Sequence, residues 1–418
     1  MPKKTVFMKI FRIAYPSLTM GGGEVRSYNM LKFLSKKAEI TLVPPAFTTC
    51  GKSEETIEET VRWASKLNIY VPEEVISFAK ECKHYPANPL AEVKLEINYY
   101  SKFLGEVKNS DVIFSDYTLY SIVKAMSILK RKTATKSILF SQISYSKLLR
   151  SLIWNIKTKG LSLSTLKIYL SSLYTSGLFH KFMEYSKDID FLLGVSKASV
   201  DDLINAKMTR KDIPWKVLKP ANAFERELLN YSTLNKEDYA VFFARLLPEK
   251  GLFDLPAIWK KVREKMPKAK LIIVGKFDNE KTEKKFLSMA KDTGIEYIGF
   301  RSRGDTDLLR KVAKAKVFVY PTYVDSFALV ILESLALKTP VVTYDIPAIR
   351  EIYGGLKAVN IVNKFDVNGM ARKVIEIYSR DPEEMFDDTY RKFIEFYSSW
   401  ERVAGAEYQA LREFTGKD

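Results

Sequence analysis

Short apolar, β-branched runs recur along the whole chain, and between them apolar residues return every three or four positions. The first half predicts strands at 8–14, 39–43, 111–115, 137–141 and 191–195. The second predicts them at 239–244, 270–275, 295–299, 316–320, 340–344 and 357–362. Between the first two runs, residues 24–36 place Val25, Tyr28, Leu31 and Leu34 on one helical face. The segment 252–265 likewise follows one strand and precedes another, while the order within 85–110 stays unassigned. Strands separated by helical crossovers imply an α/β protein with parallel sheets covered on both faces. A polar stretch at 221–238 breaks the rhythm and marks a boundary between two doubly wound domains. Ligands of such folds bind beyond the carboxyl ends of the strands, so two facing sheets are expected to enclose a cleft.

Length agrees with that division, because 418 residues exceed a typical single core. With 46% hydrophobic residues and only 18 Gly and 16 Pro, a linker-rich or disordered chain is excluded. The two cysteines, Cys50 and Cys82, lack metal-type spacing. They leave a single disulfide open, exclude a disulfide scaffold, and make a reducing cytoplasm the simplest compartment. Two histidines, His84 and His180, leave little for a histidine-based metal site. Lys9 and Arg12 interrupt the first apolar run, which therefore reads as a core strand and not a signal peptide. No uninterrupted apolar run reaches about 18 residues, so no membrane span is expected.

The net charge of +17 bears on partners more than on fold. The excess is uneven. Between Lys147 and Ser186 stand Lys147, Arg150, Lys157, Lys159, Lys167 and Lys181 against the single acid Glu184, among many Leu, Ile, Tyr and Phe. That mixture suits a peripheral contact with an anionic membrane surface, or a helical pair packed on a sheet with its lysines in water. Nucleic-acid binding is not expected, since no recognition helix or aromatic-stacking motif accompanies the charge.

Three segments carry candidate chemistry. Gly21, Gly22 and Gly23 precede the first helix, where close backbone approach and free N–H groups suit an anion. Arg245 and Lys250 lie past a strand beside Gly251, placed to meet a diphosphate through a planar fork and a compact charge. In 320–338 almost every residue from Phe327 to Leu337 is apolar, yet Glu333 sits in the middle. A buried carboxylate without partners costs several kcal/mol, so Glu333 is expected to face a ligand. Asp325 has two readings, a plain helix N-cap or a carboxylate aimed into the cleft with the N–H groups of 327–329 free for phosphate, and the second is favoured. Two Asp-x-Asp triplets, Asp188/Asp190 and Asp305/Asp307, read as structural, Asp305 as a helix N-cap.

The segment DSFALVILE resembles the acid–seven residues–Glu signature of family 4 retaining glycosyltransferases. GGGEVRSYNMLKFL, FLLGVSKAS, ARLLPEKG, KAKLIIVGK, IEYIGF, KAKVFVYPT and PVVTYDIPAIREI follow in the order that family shows. The resemblance is specific over 239–400, looser over 1–60 and 190–222, and nearly absent over 60–110 and 145–185. It implies a GT-B fold: a Rossmann-like acceptor-side domain at 1–222, a second Rossmann-like domain binding a nucleotide sugar at 223–390, and a helix in 391–418 returning to the first. The implied reaction moves a hexose-type sugar from a nucleoside diphosphate sugar to a glycan or lipid-linked acceptor with retention, without metal or cofactor. Transferred by position, the diphosphate falls to Arg245 and Lys250 with Gly22 and Gly23. The donor also takes Ser326, Phe327, Ala328 and Leu329; Asp325 takes the sugar hydroxyls, Glu333 the ribose, and Phe300 and Arg301 the base. Three positions depart from the pattern: Asp325 for the usual Glu, Ala328 for a common Gly, and Gln142 near where a histidine often stands on the acceptor side. They keep a non-catalytic nucleotide-sugar-binding relative as the alternative, settled by turnover. No signal for a lysine-bound pyridoxal phosphate, as in phosphorylases of this fold, is present.

Overall fold

A computed structural model of the protein describes residues 7–18, 21–86, 89–142, 184–205 and 209–417. The chain divides into two compact units, one of Met1–Ala221 with Trp400–Asp418 and the other of Asn222–Ser399. Each is built on a six-stranded parallel sheet.

In the first unit the strands are β1 (Met8–Ile13), β2 (Ala38–Leu42), β3 (Val112–Ser115), β4 (Lys136–Ser141), β5 (Phe191–Gly194) and β6 (Trp215–Val217). In the second they are β7 (Glu237–Phe243), β8 (Lys270–Val274), β9 (Ile295–Tyr297), β10 (Ala315–Tyr320), β11 (Val341–Tyr344) and β12 (Val359–Val362). Eleven match the expected strands to within two residues at each end. The twelfth, β6, was not expected. It is three residues long, mostly exposed and at a sheet edge, so no buried run announces it.

The sheet orders are β2-β1-β3-β4-β5-β6 and β12-β11-β10-β7-β8-β9. Both are doubly wound, and each reverses direction beside its own first strand: between β1 and β3 in one unit, between β7 and β10 in the other. Loops leaving those strands at their carboxyl ends diverge and open a crevice, the usual ligand position in such sheets. The glycine run 21–23 follows β1, Arg245 and Lys250 follow β7, and Asp325 follows β10.

The first helix, Gly22–Leu34, buries Val25, Met30, Leu31 and Leu34. Tyr28, on the face expected to be apolar, is only half-buried and stacks on Trp63 at 4.8 Å between ring centroids. The helix Leu255–Lys265 buries Leu255, Ile258, Trp259 and Val262 on one stripe, with Pro256 in its first turn where no N–H is needed. Residues 85–110, unassigned from sequence, contain the helices Pro89–Tyr100 and Leu104–Lys108.

Cys50 and Cys82 form a disulfide with a Cα–Cα distance of 4.9 Å. The option left open by their spacing is thus taken, and the cysteines no longer argue for a reducing compartment. The basic segment 147–186 lies outside the described residues except for its last three. Among the described residues no helix is long and apolar enough to cross a membrane.

Candidate functional site

The crevice of the second unit collects most of the expected residues. Lys250 closes a short 3-10 turn, Pro248–Lys250, after β7, and Gly251 follows with φ +75°. A Cβ on Gly251 would stand 1.9 Å from the carbonyl oxygen of Pro321. Glycine is therefore required on both counts: backbone conformation and close approach to the loop after β10. The two loops are further tied by Tyr323 N–H donating to the Glu249 carbonyl at 2.9 Å.

This contact brings Lys250 onto Asp325. Lys250 Nζ donates to Asp325 Oδ2 at 2.6 Å and to the Val324 carbonyl at 3.2 Å. The Tyr320 hydroxyl donates to the same carboxylate oxygen at 2.9 Å. On the other oxygen, Oδ1, the backbone N–H groups of Ser326, Phe327 and Ala328 converge at 2.9, 3.3 and 2.8 Å. Burial pushes the carboxyl upward, but Lys250, the backbone donors and Tyr320 hold it at about 2. Asp325 is consequently a fixed anion at neutral pH, able to accept hydrogen bonds and unable to donate one.

One alternative is excluded here and one expectation corrected. Asp325 is not the helix N-cap: the helix runs Leu329–Ala336, and its N-cap is Ala328, in the left-handed region at φ 59°, ψ 60°. Moreover, the N–H groups of Phe327 and Ala328 are not free for phosphate. Asp325 occupies them, because the loop folds its own acid back over its own donors. Ser326, Phe327 and Ala328 are all buried, and Leu329 is half-buried.

Arg245 is exposed, and its charge reaches the Tyr320 hydroxyl, so it shares the neighbourhood of Asp325. It makes no ion pair among the described residues and is the available cation of this crevice. Glu333 projects from the next helix, and its expected ligand has a stand-in within the protein. Arg303, a residue the sequence reading passed over, donates to Glu333 Oε1. Phe300 and Arg301, in the same loop as Arg303, are both exposed. The only sequence signal for Arg303 was its place in a loop at the carboxyl end of β9, together with the need of Glu333 for a cation.

The first unit's crevice holds Gly22, Gly23 and Gln142 together. A Cβ on Gly23 would meet Gln142 Nε2 at 3.1 Å, so the glycine run and the acceptor-side candidate are neighbours. Gln142 Nε2 in turn donates to the Asp116 carbonyl at 2.8 Å. Beneath them is a buried charge network that was not foreseen. Arg12 Nη2 donates to Asp116 Oδ1 at 2.6 Å, Arg12 Nη1 also donates to Glu407, and Arg26 Nη2 donates to Glu407 Oε2 at 2.6 Å. Ser27 Oγ adds a bond of 2.6 Å to Asp116. Glu407 comes from the final helix, Trp400–Thr415.

Both Asp-x-Asp triplets are structural. Asp188 binds Ser127 and Arg131, Asp190 binds Lys130 and the Ser137 N–H, and Asp305 caps the helix Thr306–Lys314 by accepting from Leu308 N–H at 3.0 Å.

Residues 226–396 match the family described as glycosyl transferases group 1. The capsular polysaccharide biosynthesis glycosyltransferase CapM of Staphylococcus aureus is 26% identical over 196 residues, covering 45% of this chain and 50% of CapM. The match thus spans about half the length of that curated relative. HepE of Anabaena, solved with UDP and glucose, aligns over 98% of this chain and 100% of its own, with TM-score 0.66 and 15% identity. Sucrose-phosphate synthase of Thermosynechococcus elongatus aligns over 98% and 100%, with TM-score 0.67 and 13% identity. The fold is GT-B, and the stretch of the second unit from 226 to 396 is the part that matches the group 1 glycosyltransferases.

Proposed function

We propose that the protein is a family 4 retaining glycosyltransferase that moves a hexose-type sugar from a nucleoside diphosphate sugar to a glycan or lipid-linked acceptor. The observation that carries this reading is the Lys250–Asp325 pair at the carboxyl ends of β7 and β10, with Arg245 beside it, inside the matched domain. Arg245 and Lys250 bring two positive charges to a crevice in which Asp325 is the carboxylate bonded to Lys250. A diphosphate competes for those cations, and charge-assisted bonds to it strengthen as the sugar leaves. Five donors hold Asp325 ionised and fill its acceptor sites, so it takes a sugar hydroxyl at Oδ2 as the diphosphate draws Lys250 away. Glu333 serves the ribose, and Phe300 with Arg301 the base. The solved HepE complex, with UDP and glucose, supports a nucleotide sugar as the donor class.

Assignments in the first unit, Gly22 and Gly23 to the phosphates and Gln142 to the acceptor, rest on the family resemblance. So does retention, with the leaving phosphate taking the acceptor's proton. A cytoplasmic location, with 147–186 meeting an anionic membrane surface, belongs to the same reading.

The test is transfer with purified protein across a panel of nucleoside diphosphate sugars, with and without chelator. Transfer with one donor is expected, and because Arg245 and Lys250 already neutralise the diphosphate it should persist in chelator. Binding of a nucleotide sugar without turnover on glycan or lipid-linked acceptors would instead leave a sugar-nucleotide-binding protein.

A further inference from the structure

A carboxylate in the helix Leu329–Ala336 finds nothing to bond to within that helix, whose other residues are apolar except Ser334. The partner comes from another loop. Arg303 Nη2 donates to Glu333 Oε1, and the two side chains are only 28% and 14% exposed. Arg303 lies between Gly299 and Gly304, both in the left-handed region at φ 82° and 87°, and Asp305 caps the next helix directly after it. Burial draws the guanidinium down to about 10, with Glu225 opposing, so it remains a cation at neutral pH. In the same loop the side chains of Phe300 and Arg301 stand in solvent.

Arg303 borders solvent, and Glu333 is the shielded member of the pair. Removing Arg303 strands the Glu333 carboxylate in a poorly solvated place. Arginine also offers a planar fork that fixes the orientation of a carboxylate, which lysine does not. No hydrogen bond to the second oxygen, Glu333 Oε2, is present among the described residues. The arrangement thus holds one carboxylate oxygen and leaves the other available, while tying the loop of Phe300 and Arg301 to the helix that bears Glu333.

We propose that Arg303 is a positioning residue for nucleoside recognition: it fixes Glu333 for the ribose hydroxyls and fixes its own loop beside the base. The proposal rests on the glycosyltransferase reading and deepens it by separating nucleoside recognition from phosphate recognition, which belongs to Arg245 and Lys250. That separation makes it testable by binding alone, with the full chain and without an acceptor.

Titration calorimetry with UDP, GDP, ADP, dTDP and inorganic pyrophosphate gives the wild-type preference for a nucleoside over bare phosphate. In Arg303→Met, affinity for the preferred nucleoside diphosphate should fall about tenfold or more, while pyrophosphate affinity stays within about twofold, since the lost bond is charge-assisted but remote from phosphate. Arg303→Lys should recover part of the loss. Because Arg303→Met leaves Glu333 unpaired, Glu333→Gln and the double variant Glu333→Gln/Arg303→Met are measured beside it. If Arg303 acts through Glu333, adding Arg303→Met to Glu333→Gln should cost less than about twofold further. A wild type with a nucleoside preference that Arg303→Met retains overturns the role of Arg303 alone. Equal loss of UDP and pyrophosphate in Arg303→Met also overturns it, as the mark of a general structural effect. A wild type that binds pyrophosphate as well as every nucleoside diphosphate overturns the nucleotide-sugar reading itself.

Discussion

Both units place charged residues at the point where their sheet reverses direction, yet they use the charges oppositely. In the first, Arg12, Arg26, Asp116 and Glu407 are at most 1% exposed, and two cations face two acids, with Arg26 Nη1 alone among their buried nitrogens lacking a hydrogen bond within the described residues. Arg12 also lies over the Phe114 ring at 4.2 Å and Arg26 over Phe140 at 3.8 Å, so their faces are used as well as their edges. In the second, Lys250, Asp325, Arg303 and Glu333 keep 14 to 28% of their side chains open, and Arg245 is exposed. Closed charge specifies a structure. Charge left partly open, in pairs that a ligand can enter, specifies a site. The same fold element therefore supports different work according to whether its ion pairs are sealed.

The largest effect should come from opening the sealed network. Glu407 is the common partner of both arginines, and it holds the final helix to strand β1 and to the helix after the glycine run. Glu407→Ala leaves two buried guanidinium groups short of an acid, a change that costs about 3–5 kcal/mol in comparable buried pairs. Chemical denaturation should show that loss in the first unit's transition, with Glu407→Gln losing less because the amide oxygen still accepts. Burial acts to raise the Glu407 carboxyl, but Arg12 and Arg26 override it and hold it below its ordinary value. Its stabilisation is thus complete at neutral pH and is lost as pH falls through that lowered value, below about 4.5. The alanine variant should show a flatter acid-side stability profile than wild type. Retained stability together with an unchanged acid profile would mean that the network is not structural.

Opening the second crevice should do the reverse. Lys250→Ala removes one of five donors to Asp325, and the three backbone N–H groups and Tyr320 remain. The acid stays bonded, so stability should fall by no more than about 1–2 kcal/mol. Arg245→Ala removes an exposed side chain with no ion pair among the described residues, and its melting temperature should match wild type. Donor affinity in each should nevertheless drop about tenfold or more, the worth of a charge-assisted bond. A Lys250→Ala protein that unfolds like Glu407→Ala yet binds donor normally would erase the contrast between the two crevices.

How much of this the sequence displayed follows from the range over which each feature acts. Buried parallel strands must be apolar on both faces, so eleven of them stand out as local runs, while β6 does not because its edge position leaves Trp215 and Lys216 exposed. Arg12 was visible as an interruption in the first strand. Its partners, 104 and 395 residues away, were not, because burial of charge is decided by contacts that no local window contains. Glu333 announced a need for a partner by standing alone in an apolar helix, but that signal named no residue. Arg303 meets the need from thirty positions upstream, across a loop. The Asp325 loop misled for a different reason. An acid shortly before an apolar helix normally caps it, and here the helix starts late because Ala328 turns through the left-handed region first. Asp325 accepts from three successive N–H groups across that turn, and a sequence pattern does not display such bonds.

The smallest effect concerns that turn, and it asks whether the second crevice is shaped by residue preference or by its acid. Ala328 adopts φ 59° and ψ 60°, where a Cβ crowds the carbonyl and costs roughly 1–2 kcal/mol. Glycine removes that strain. It also frees the unfolded chain by about 0.4–1 kcal/mol. The Ala328 methyl is buried, and losing one such group costs about 0.8 kcal/mol. These terms nearly cancel, so Ala328→Gly should change stability by less than about 1 kcal/mol in either direction. Its N–H still donates to Asp325 and its carbonyl still accepts from the Tyr353 hydroxyl, because neither bond involves the methyl. Donor affinity should accordingly stay within about twofold, far from the tenfold loss expected of a broken charge-assisted bond. Paired denaturation and donor titration of Ala328→Gly decide the matter. If donor affinity collapses while stability holds, the alanine itself sets the loop and the Asp325 hydrogen bonds merely follow it. If both hold, the carboxylate is what keeps the turn in place, and the open crevice owes its shape to the same acid that is to meet the sugar.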